Sequence, residues 1–370
     1  MRQEAEVRLD DALNGFEFEG TLVGAVRYGN GHVNDTFCVY TQLDSGDPKR
    51  YILQRINTNT FKDVDGLMGN ITGVTDFIAD VASKNDEDPL RSTMKVYKTK
   101  DGDDYFTDAD GGAWRLYLFV DNTYFLEVAD NPEQFYESAR AFGNFQRLLA
   151  DYPAETLHET IVDFHDTRVR FENLEKAIAA DKLDRVKDVL PEIEFARARK
   201  KHSGELMNML DAGELPLRVT HNDTKLNNVL FDRDSDKAIV VIDLDTVMPG
   251  LAAHDFGDSI RFGASTATED ERDLSLVNMD LDKYEAYTKG FMETAGLALT
   301  AKEIEALPWG AYLMTLECGI RFLTDYLDGD NYFRIHREGQ NLHRTRTQFK
   351  LVEDYEQKWD EMHEIVAKYK

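Results

Sequence analysis

The sequence predicts an α+β protein with two lobes, a small β-rich lobe at residues 1–121 and a larger, mainly helical lobe at residues 122–370. The chain of 370 residues is long enough for two domains of about 150 residues each. In the first 120 residues, short apolar runs alternate with Gly, Asn and Asp, which is typical of strands joined by turns. From Pro132 onward, apolar residues recur with the period of an α-helix, so the boundary is expected shortly before it.

The strands of the small lobe are predicted from short runs of β-branched and aromatic residues. One helix is expected among them, at Val64–Ser83, because its apolar residues recur every three or four positions. The predicted strands are Thr21–Tyr28, Thr36–Tyr40, Tyr51–Ile56, Met94–Tyr97 and Trp114–Val120.

The helical lobe begins after Asn131-Pro132, a typical start signal, with a helix at Glu133–Ala150 whose phenylalanines form one stripe. Further helices are predicted at Thr167–Ala180, Pro191–Leu210, Asp282–Glu293, Ala301–Tyr326 and Thr345–Lys370. A hairpin of two short strands, Asn228–Phe231 and Ala238–Asp243, is expected inside this lobe because a polar turn segment separates two apolar runs.

The composition restricts the classes of partner. Subtracting 70 acidic from 43 basic residues leaves a net charge of −27, which repels nucleic acid and anionic membrane surfaces. Neither a membrane-spanning apolar run nor a secretion signal is visible, and two distant cysteines form no disulfide framework, so we expect a cytoplasmic protein. A cationic substrate stays open, as does a purely solvating role for the acidic surface. The oligomeric state is left open by the sequence.

The strongest motif is Val219-Thr-His221-Asn-Asp223-Thr-Lys225-Leu-Asn-Asn228, which has the spacing H-x-D-x-x-x-x-N of a phosphotransferase catalytic loop. In such a loop, a carboxylate orients the acceptor hydroxyl and an amide five residues later holds a metal ion on the phosphates. A second carboxylate is required for the metal, and Asp243 at the end of the hairpin supplies it. Lys225 is a candidate for neutralising charge on the phosphoryl group, with a solvated surface lysine as the alternative.

Together with Ile242-Asp-Leu-Asp245, this loop resembles the aminoglycoside phosphotransferase and choline kinase superfamily, whose fold is a variant of the protein kinase fold. The longer string from Thr220 through Phe262-Gly-Ala-Ser-Thr266 is similar to the bacterial N-acetylhexosamine 1-kinases. The resemblance implies ATP and Mg²⁺ as cofactors, Asp223 as the catalytic base, and Asn228 and Asp243 as the magnesium ligands.

Asp255-Phe256-Gly257 spells the metal triad of protein kinases, but it follows the hairpin instead of ending it. The resemblance implies that Asp255 anchors the catalytic loop through backbone hydrogen bonds. His221 is likewise expected to fix the loop instead of carrying a proton.

In the small lobe, Gly29 and Gly31 are expected to let the backbone approach the phosphates, although a plain hairpin turn is the alternative. His32 and Asn34 follow in the same loop and are candidates for contacts with the acceptor. Arg55 stands where the family carries a basic residue that pairs with phosphates. The adenine is expected to meet the backbone of Phe119 and Val120.

For the acceptor, the resemblance points to Arg321 and Tyr332, with Thr224 beside the base. Glu317 and Arg321 also have the spacing of a solvated ion pair on a helix, which is the alternative reading. The sequence therefore predicts an ATP-dependent kinase that phosphorylates the anomeric hydroxyl of an N-acetylhexosamine. The alternatives are a kinase of another hydroxyl acceptor, such as an aminoglycoside, choline or homoserine, and a non-catalytic nucleotide-binding pseudokinase.

Overall fold

The computed structural model describes residues 8–29 and 33–370. The chain forms two compact units, which we call the first and second unit. The first unit consists of Met1–Tyr124, Asp151–Ile161 and Leu230–Met248, and the second of Phe125–Ala150, Val162–Val229 and Pro249–Lys370. The prediction of a nucleotide-binding lobe at 1–121 and a substrate lobe at 122–370 stays a prediction.

The strands are short, and most belong to the first unit. In chain order they are β1 (Thr21–Arg27), β2 (Asp35–Gln42), β3 (Pro48–Arg55), β4 (Val96–Tyr97), β5 (Phe106–Thr107), β6 (Ala113–Leu118), β7 (Thr123–Tyr124), β8 (Arg218–Thr220), β9 (Val229–Asp232), β10 (Ala238–Val241) and β11 (Met248–Gly250).

The main sheet of the first unit is antiparallel, in the order β1-β2-β3-β6-β4, and β5 also pairs with β6. Its apolar face is formed by large side chains of its own strands, which are almost fully buried and include Phe37, Tyr51, Leu53 and Trp114. A second sheet joins β7, β9 and β10, and the register pairs Tyr124 with Phe231. The predicted hairpin therefore forms, and it brings the segment after β10 into the first unit.

The helices dominate the second unit. In chain order they are α1 (Leu9–Gly15), α2 (Val64–Lys84), α3 (Pro132–Leu148), α4 (Thr167–Ala180), α5 (Leu190–Arg199), α6 (Glu205–Asp211), α7 (Ala252–Gly263), α8 (Leu281–Ala295), α9 (Ala301–Asp328), α10 (Gln340–Gln357) and α11 (Trp359–Lys368). Among the helices of residues 8–29 and 33–370, α1 and α2 belong to the first unit. The α+β class, with a small antiparallel sheet followed by a helical region, is confirmed.

The centre of the second unit is the packing of α7 on the long helix α9. Gly257 of α7 faces Gly310 of α9 so closely that a side chain carbon on either residue would overlap the backbone of the other helix. The missing side chains thus let the two backbones meet, and they fix where α7 lies. Thr300 begins α9 with a capping box completed by Glu303.

Two helix predictions need correction, and two helices were not predicted. The expected single helix Pro191–Leu210 is interrupted at residues 200–204, where a short 3₁₀ turn and Gly204 separate α5 from α6. The expected helix Thr345–Lys370 begins earlier, at Gln340, and is broken at Lys358, whose φ of −102° and ψ of 16° are not helical. Helices α1 and α7 were not expected at all, since α1 is very short and polar residues interrupt the apolar period of α7.

Candidate active site

The loop 221–228 is anchored by one carboxylate of α7. Asp255 Oδ2 accepts a hydrogen bond from the backbone amide of His221 at 2.9 Å, and Oδ1 accepts one from the amide of Asn222 at 2.8 Å. The side chain of Gln146 donates a third, at 2.7 Å. Because Asp255 is almost fully buried, these donors have no competing water, and they fix the two peptide groups that precede Asp223.

Two further side chains of the loop are used inside it. The Thr224 hydroxyl donates to the carbonyl of Asp255 at 2.6 Å, and the Thr224 amide donates to Asp258 at 3.0 Å. Nδ1 of the buried His221 accepts from the amide of Asp223 at 3.2 Å. The structure therefore gives Thr224 and His221 contacts that shape the loop, while the expected contact of Thr224 with a substrate stays a prediction.

Asp223 presents its carboxylate at the end of this scaffold. Asn222 before it adopts the left-handed conformation, with φ of 64°, which turns the chain sharply at this point. The Asp223 side chain is 29% exposed, and its Oδ1 lies 2.7 Å from Nζ of Lys225. Burial raises the pKa of Asp223, but Lys225 and His221 lower it more, so the net shift is downward. The group is therefore a carboxylate at neutral pH.

Asn228 is held against the same residue. Its Nδ2 donates to the carbonyl oxygen of Asp223 at 2.8 Å and to Oδ2 at 3.2 Å. Since the amide is planar, its Oδ1 points to the opposite side, away from these acceptors. This orientation leaves Oδ1 as an oxygen ligand of the type that a hard cation such as Mg²⁺ prefers.

A buried polar cluster in the second unit adjoins the loop. His165 Nε2 lies 3.3 Å from the carbonyl oxygen of Asn222, and Nδ1 lies 3.0 Å from Glu317 Oε1. The Thr167 hydroxyl donates to Glu317 Oε2 at 3.0 Å, and Arg170 Nε lies 3.9 Å from Glu317 Oε1. Burial raises the pKa of Glu317, but His165 and the nearby arginines outweigh it and lower the pKa to about 2.

Arg321 lies one helical turn beyond Glu317 and is surrounded by aromatic rings. Its guanidinium carbon is 5.4 Å from the ring centre of Phe164 and 5.4 Å from that of Phe333. Its Nη2 lies 3.5 Å from the hydroxyl of Tyr332, which is largely exposed. The two predicted acceptor contacts, Arg321 and Tyr332, are thus brought together, next to Phe164, which the sequence analysis did not single out.

A cavity of about 320 Å³ also lies within the second unit. Leu226 of the loop lines it, together with Phe262, Thr266 and the ion-paired Arg261 and Glu269. On its far side, Gln348 has a buried Oε1 without a hydrogen-bond partner. The Phe262–Thr266 segment that carries part of the family resemblance therefore forms one wall of this cavity.

In the first unit, the segment between β1 and β2 carries the predicted phosphate loop. Gly29 has φ of 74°, and the position of a side chain there is open space. Tyr28 meets the ring of Phe119 edge to face, with centroids 5.6 Å apart. Gly31 and His32 lie outside the described residues, so their predicted roles stay predictions.

The predicted adenine-binding segment follows β6. The amide of Phe119 donates to the carbonyl oxygen of Arg50 at 3.2 Å, and the Arg50 guanidinium stacks on the Phe119 ring at 3.9 Å. The carbonyl of the buried Val120 accepts from Thr123 at 2.8 Å. The proposed contacts of Phe119 and Val120 with adenine remain predictions.

The basic residue predicted at Arg55 lies beside Asp108 and Gly112. Neighbouring residues of a strand point to opposite faces, and Gln54 therefore points away from Arg55. Gln54 Oε1 accepts from Arg115 of β6, from Nε at 3.1 Å and from Nη2 at 2.9 Å. Arg55 and Arg115 therefore lie on opposite faces of the sheet, and the contact of Arg55 with phosphate stays a prediction.

Arg115 faces the turn that contains Asp243. Its Nη1 forms an ion pair with Asp245 Oδ1 at 2.5 Å, and both side chains are nearly inaccessible. Burial lowers the pKa of Arg115, but Asp245, with a contribution from Asp243, raises it overall. Asp243 itself adopts the left-handed conformation, with φ of 60° and ψ of 56°, at the start of the 3₁₀ turn Leu244–Thr246.

Asn228 and Asp243, each taken by itself, carry the type of ligand atom that suits a magnesium ion. In the described part of the chain, His, Cys, Asp and Glu form no cluster of three or more suited to a metal. Mg²⁺ is commonly held by one or two carboxylates while phosphate oxygens and water complete its octahedron. An Asp and an Asn with oxygen donors are the ligand types such a site uses, and neither a thiolate nor an imidazole is required.

Three important residues escaped the sequence analysis. Arg115 carried a usable signal, since a cation inside the otherwise apolar strand Ala113–Leu118 requires a buried acidic partner. Asp245 was read only as part of the motif, and nothing distinguished it from Asp243 in role. His165 stands in an irregular segment, and no local pattern indicates that it reaches both Asn222 and Glu317.

The chain was compared with known proteins. A family model described as a phosphotransferase enzyme family (APH) matches residues 86–289, which is more than half of the chain. The chain belongs to this phosphotransferase family. The predicted membership of the aminoglycoside phosphotransferase and choline kinase superfamily is therefore confirmed.

Solved structures of such phosphotransferases are similar over almost their whole length. An amicoumacin kinase in complex with AMP-PNP, Ca²⁺ and Ami has a TM-score of 0.57 at 15% identity, covering 95% of this chain and 96% of its own. A choline kinase from Cryptosporidium parvum Iowa II also has a TM-score of 0.57, at 11% identity and coverage of 98% and 99%. A spectinomycin phosphotransferase in complex with ADP and spectinomycin has 0.52, at 13% identity and coverage of 94% and 92%. At these identities the similarity shows that this phosphotransferase has the kinase-like fold of the superfamily. In its described residues, no helix has the length and apolar character needed to cross a membrane.

Proposed function

We propose that this phosphotransferase is a small-molecule kinase that uses ATP and Mg²⁺ to phosphorylate the anomeric hydroxyl of an N-acetylhexosamine, in the cytoplasm. The observation that carries the proposal is the anchored, partly exposed carboxylate of Asp223 with Lys225 and Asn228 on either side of it. In a kinase loop of this spacing, such a carboxylate orients the attacking hydroxyl.

The chemistry assigned to this chain is direct, in-line transfer without a phosphoenzyme. Asp223 accepts a hydrogen bond from the acceptor hydroxyl and takes its proton as the bond to phosphorus forms. Its pKa is lowered, so it acts mainly by orientation and receives the proton late. Lys225 neutralises charge near the transferred group. Asn228 and Asp243 would hold Mg²⁺, which supplies neutralisation of the phosphate oxygens.

The nucleotide is assigned to the small lobe, residues 1–121. Gly29 and Gly31 would cover the phosphates, Arg55 would contribute positive charge, and Phe119 and Val120 would border the adenine. The open space at Gly29 supports a close approach of the backbone to a ligand at that position.

A neutral sugar is preferred over a cationic acceptor because of the charge around the Glu317 cluster. Arg170 and Arg321 lie near Glu317. This cluster is connected to Asn222 of the loop through His165. Two guanidinium groups disfavour a substrate that carries ammonium groups. Arg321 and Tyr332 are suited to hydrogen bonds with sugar hydroxyls and an N-acetyl carbonyl, and Thr224 and His32 are further candidates.

A kinase of aminoglycosides or choline is the second candidate, since the net charge of −27 attracts cations over the whole surface. Measuring ADP release with N-acetylglucosamine, N-acetylgalactosamine, kanamycin, choline and homoserine separates the two. Phosphorus NMR of the sugar product is expected to give a doublet coupled to the anomeric proton. A 6-phosphate, or turnover only of kanamycin or choline, contradicts the proposal.

Variants test the roles of the residues. Asp223→Asn is expected to lower kcat by at least about 10³-fold while ADP binding stays near wild type, because the amide cannot take the proton. Asp211→Asn, at an exposed aspartate that pairs with Arg168 at 2.7 Å, is the matched control and is expected to keep full activity. Retention of most activity in Asp223→Asn contradicts the assignment of the base. If the wild-type protein shows no Mg²⁺-dependent nucleotide binding, the proposal that it is an enzyme is contradicted and a pseudokinase is favoured.

A further inference from the structure

A buried ion pair links the middle of the main sheet to the turn after β10. Within the first unit, Arg115 Nε and Nη2 donate hydrogen bonds to Gln54, and Nη1 forms an ion pair with Asp245. With these positions occupied, the guanidinium is not available to grip a phosphate. Its effect is to hold the Asp245 carboxylate in one place.

The same carboxylate is held from a second side. Asn34 Nδ2 donates to Asp245 Oδ2 at 2.6 Å, and Asn34 Oδ1 accepts from the backbone amide of Asn57 at 2.9 Å. Both ends of the Asn34 amide are therefore engaged. Asn34 directly precedes β2, so the contact ties the start of this strand to the turn at Asp245.

The turn itself has an unfavourable backbone conformation. The left-handed conformation of Asp243 costs some free energy for a residue other than glycine, so contacts around the turn help to hold it. Asp245 is fixed two residues later, and Val247 is fixed through its carbonyl, which accepts from Asn70 at 2.9 Å. Between them, the amide of Val247 donates to the carbonyl of Leu244 at 3.1 Å and closes the 3₁₀ turn.

Stability alone gives a weak reason for such a pair. Removing two charges from water costs about as much as their attraction returns, and apolar side chains of similar size often hold a core equally well. The pair instead places the carboxylate, because Arg115 Nη1 lies 2.5 Å from Asp245 Oδ1 while Asn34 donates a hydrogen bond to Oδ2. The geometry of the turn is thereby specified along with its position.

We propose that Arg115 and Asp245 are positioning residues that hold Asp243 in the conformation that binds Mg²⁺, and that Asn34, just before β2, helps to hold Asp245 in place. The inference rests on the proposed function, which takes Asp243 as a magnesium ligand. It assigns Asn34 to the support of the metal site instead of to the acceptor sugar.

The test measures ADP binding by isothermal titration calorimetry, with and without MgCl₂. For Asp245→Asn, the Mg²⁺ concentration that gives half of the metal-dependent binding is expected to rise by about 10-fold or more, as for other residues that orient a metal ligand. Metal-free ADP binding is expected to stay within about twofold of wild type, since the nucleotide contacts are unchanged. Asn34→Ala, at a partly exposed site, is expected to give a smaller rise of about threefold and keeps the test valid if Asp245→Asn fails to fold.

Two controls separate positioning from stability. Asp232→Asn breaks the ion pair of Asp232 with Arg91 in the same unit and is expected to leave the Mg²⁺ requirement unchanged. The double variant Arg115→Met/Asp245→Leu replaces the buried pair by apolar side chains. It is expected to recover the melting temperature lost in Asp245→Asn but not the Mg²⁺ affinity.

The outcomes are distinct. A wild-type Mg²⁺ requirement in folded Asp245→Asn or in Asn34→Ala overturns the inference, and so does its recovery in the double variant. Equal losses of metal-free and metal-dependent ADP binding overturn it as well. If the wild-type protein binds ADP without any effect of Mg²⁺, the proposed function fails first and the inference with it. If the wild type binds Mg²⁺ and ADP but phosphorylates no N-acetylhexosamine, only the acceptor assignment fails.

Discussion

The substitution Glu317→Gln removes one buried charge without changing the shape of the side chain. In the wild type, this carboxylate lies 3.0 Å from His165 Nδ1 and accepts a hydrogen bond from the Thr167 hydroxyl at 3.0 Å. Arg170 Nε lies 3.9 Å from it. The amide keeps a single oxygen acceptor, so one of these partners loses its hydrogen bond and the positive charges lose their counter-ion. We expect the variant to fold with reduced stability.

The size of the loss follows from the pKa of Glu317, which falls from 4.5 to about 2 in the folded protein. Each unit of pKa shift corresponds to about 1.4 kcal/mol, so the folded state gains about 3 kcal/mol from the ionised group at neutral pH. A carboxylate whose pKa is depressed by folding stabilises the protein fully above pH 4.5, and the contribution disappears as the pH falls toward 2. Between pH 7 and pH 3, about 2 kcal/mol of it is lost.

The measurement is urea-induced unfolding of wild type and variant at several pH values from 7 to 3, taking the difference in the free energy of unfolding. That difference is expected to be about 3 kcal/mol at pH 7 and to shrink by about 2 kcal/mol at pH 3. Glu353→Gln, at a half-exposed residue 3.5 Å from Lys350, is the control and is expected to differ from wild type by less than about 0.5 kcal/mol throughout. A Glu317→Gln difference that does not change with pH refutes the electrostatic explanation.

Two other substitutions test the second unit and its packing. Asp255→Asn puts an amide group where two backbone donors and Gln146 require an acceptor, so the free energy of unfolding is expected to fall by about 2–4 kcal/mol in urea titrations. Turnover should fall as well, and a loss below about 1 kcal/mol would show that the loop 221–228 does not depend on this carboxylate. Gly257→Ala forces a methyl group against the backbone of Gly310 and is expected to cost about 2 kcal/mol or more, measured as a lower melting temperature. Gly69→Ala, in α2 with open space around it, is the matched control and is expected to stabilise the protein by up to about 1 kcal/mol; equal melting temperatures for the two variants would contradict the packing argument.

The sequence predicted the parts of this protein whose signal is local. The long periodic helices, the hairpin before Asp243 and the loop with Asp223 follow from patterns within a few residues of each other. Superfamily membership followed from the same loop, because its spacing reflects the chemistry of phosphoryl transfer. Substrate choice did not follow, since the same loop serves many hydroxyl acceptors.

What the sequence could not predict depends on contacts between distant residues. Helix α7 has a polar interior because Asp255 and Asp258 accept hydrogen bonds from the loop they support, and its glycine is required by a second helix. The strand pattern gave the alternation of Gln54 and Arg55 but not which face meets the turn at Asp243. Only the paired register of β3 and β6 brings Arg115 next to Gln54.

The interleaved chain path of the first unit has a consequence for its biosynthesis. Arg115 is made early, but its partner Asp245 belongs to the last segment of this unit, Leu230–Met248. A nascent chain that has emerged only as far as Tyr124 therefore has a buried cation without a counter-ion in the middle of its sheet, which opposes folding. Although domains commonly fold in the order of their synthesis, we expect this amino-terminal sheet to reach its final packing only after the loop 221–228 has left the ribosome. The segments Phe125–Ala150 and Val162–Val229 of the second unit are therefore made before the first unit is complete.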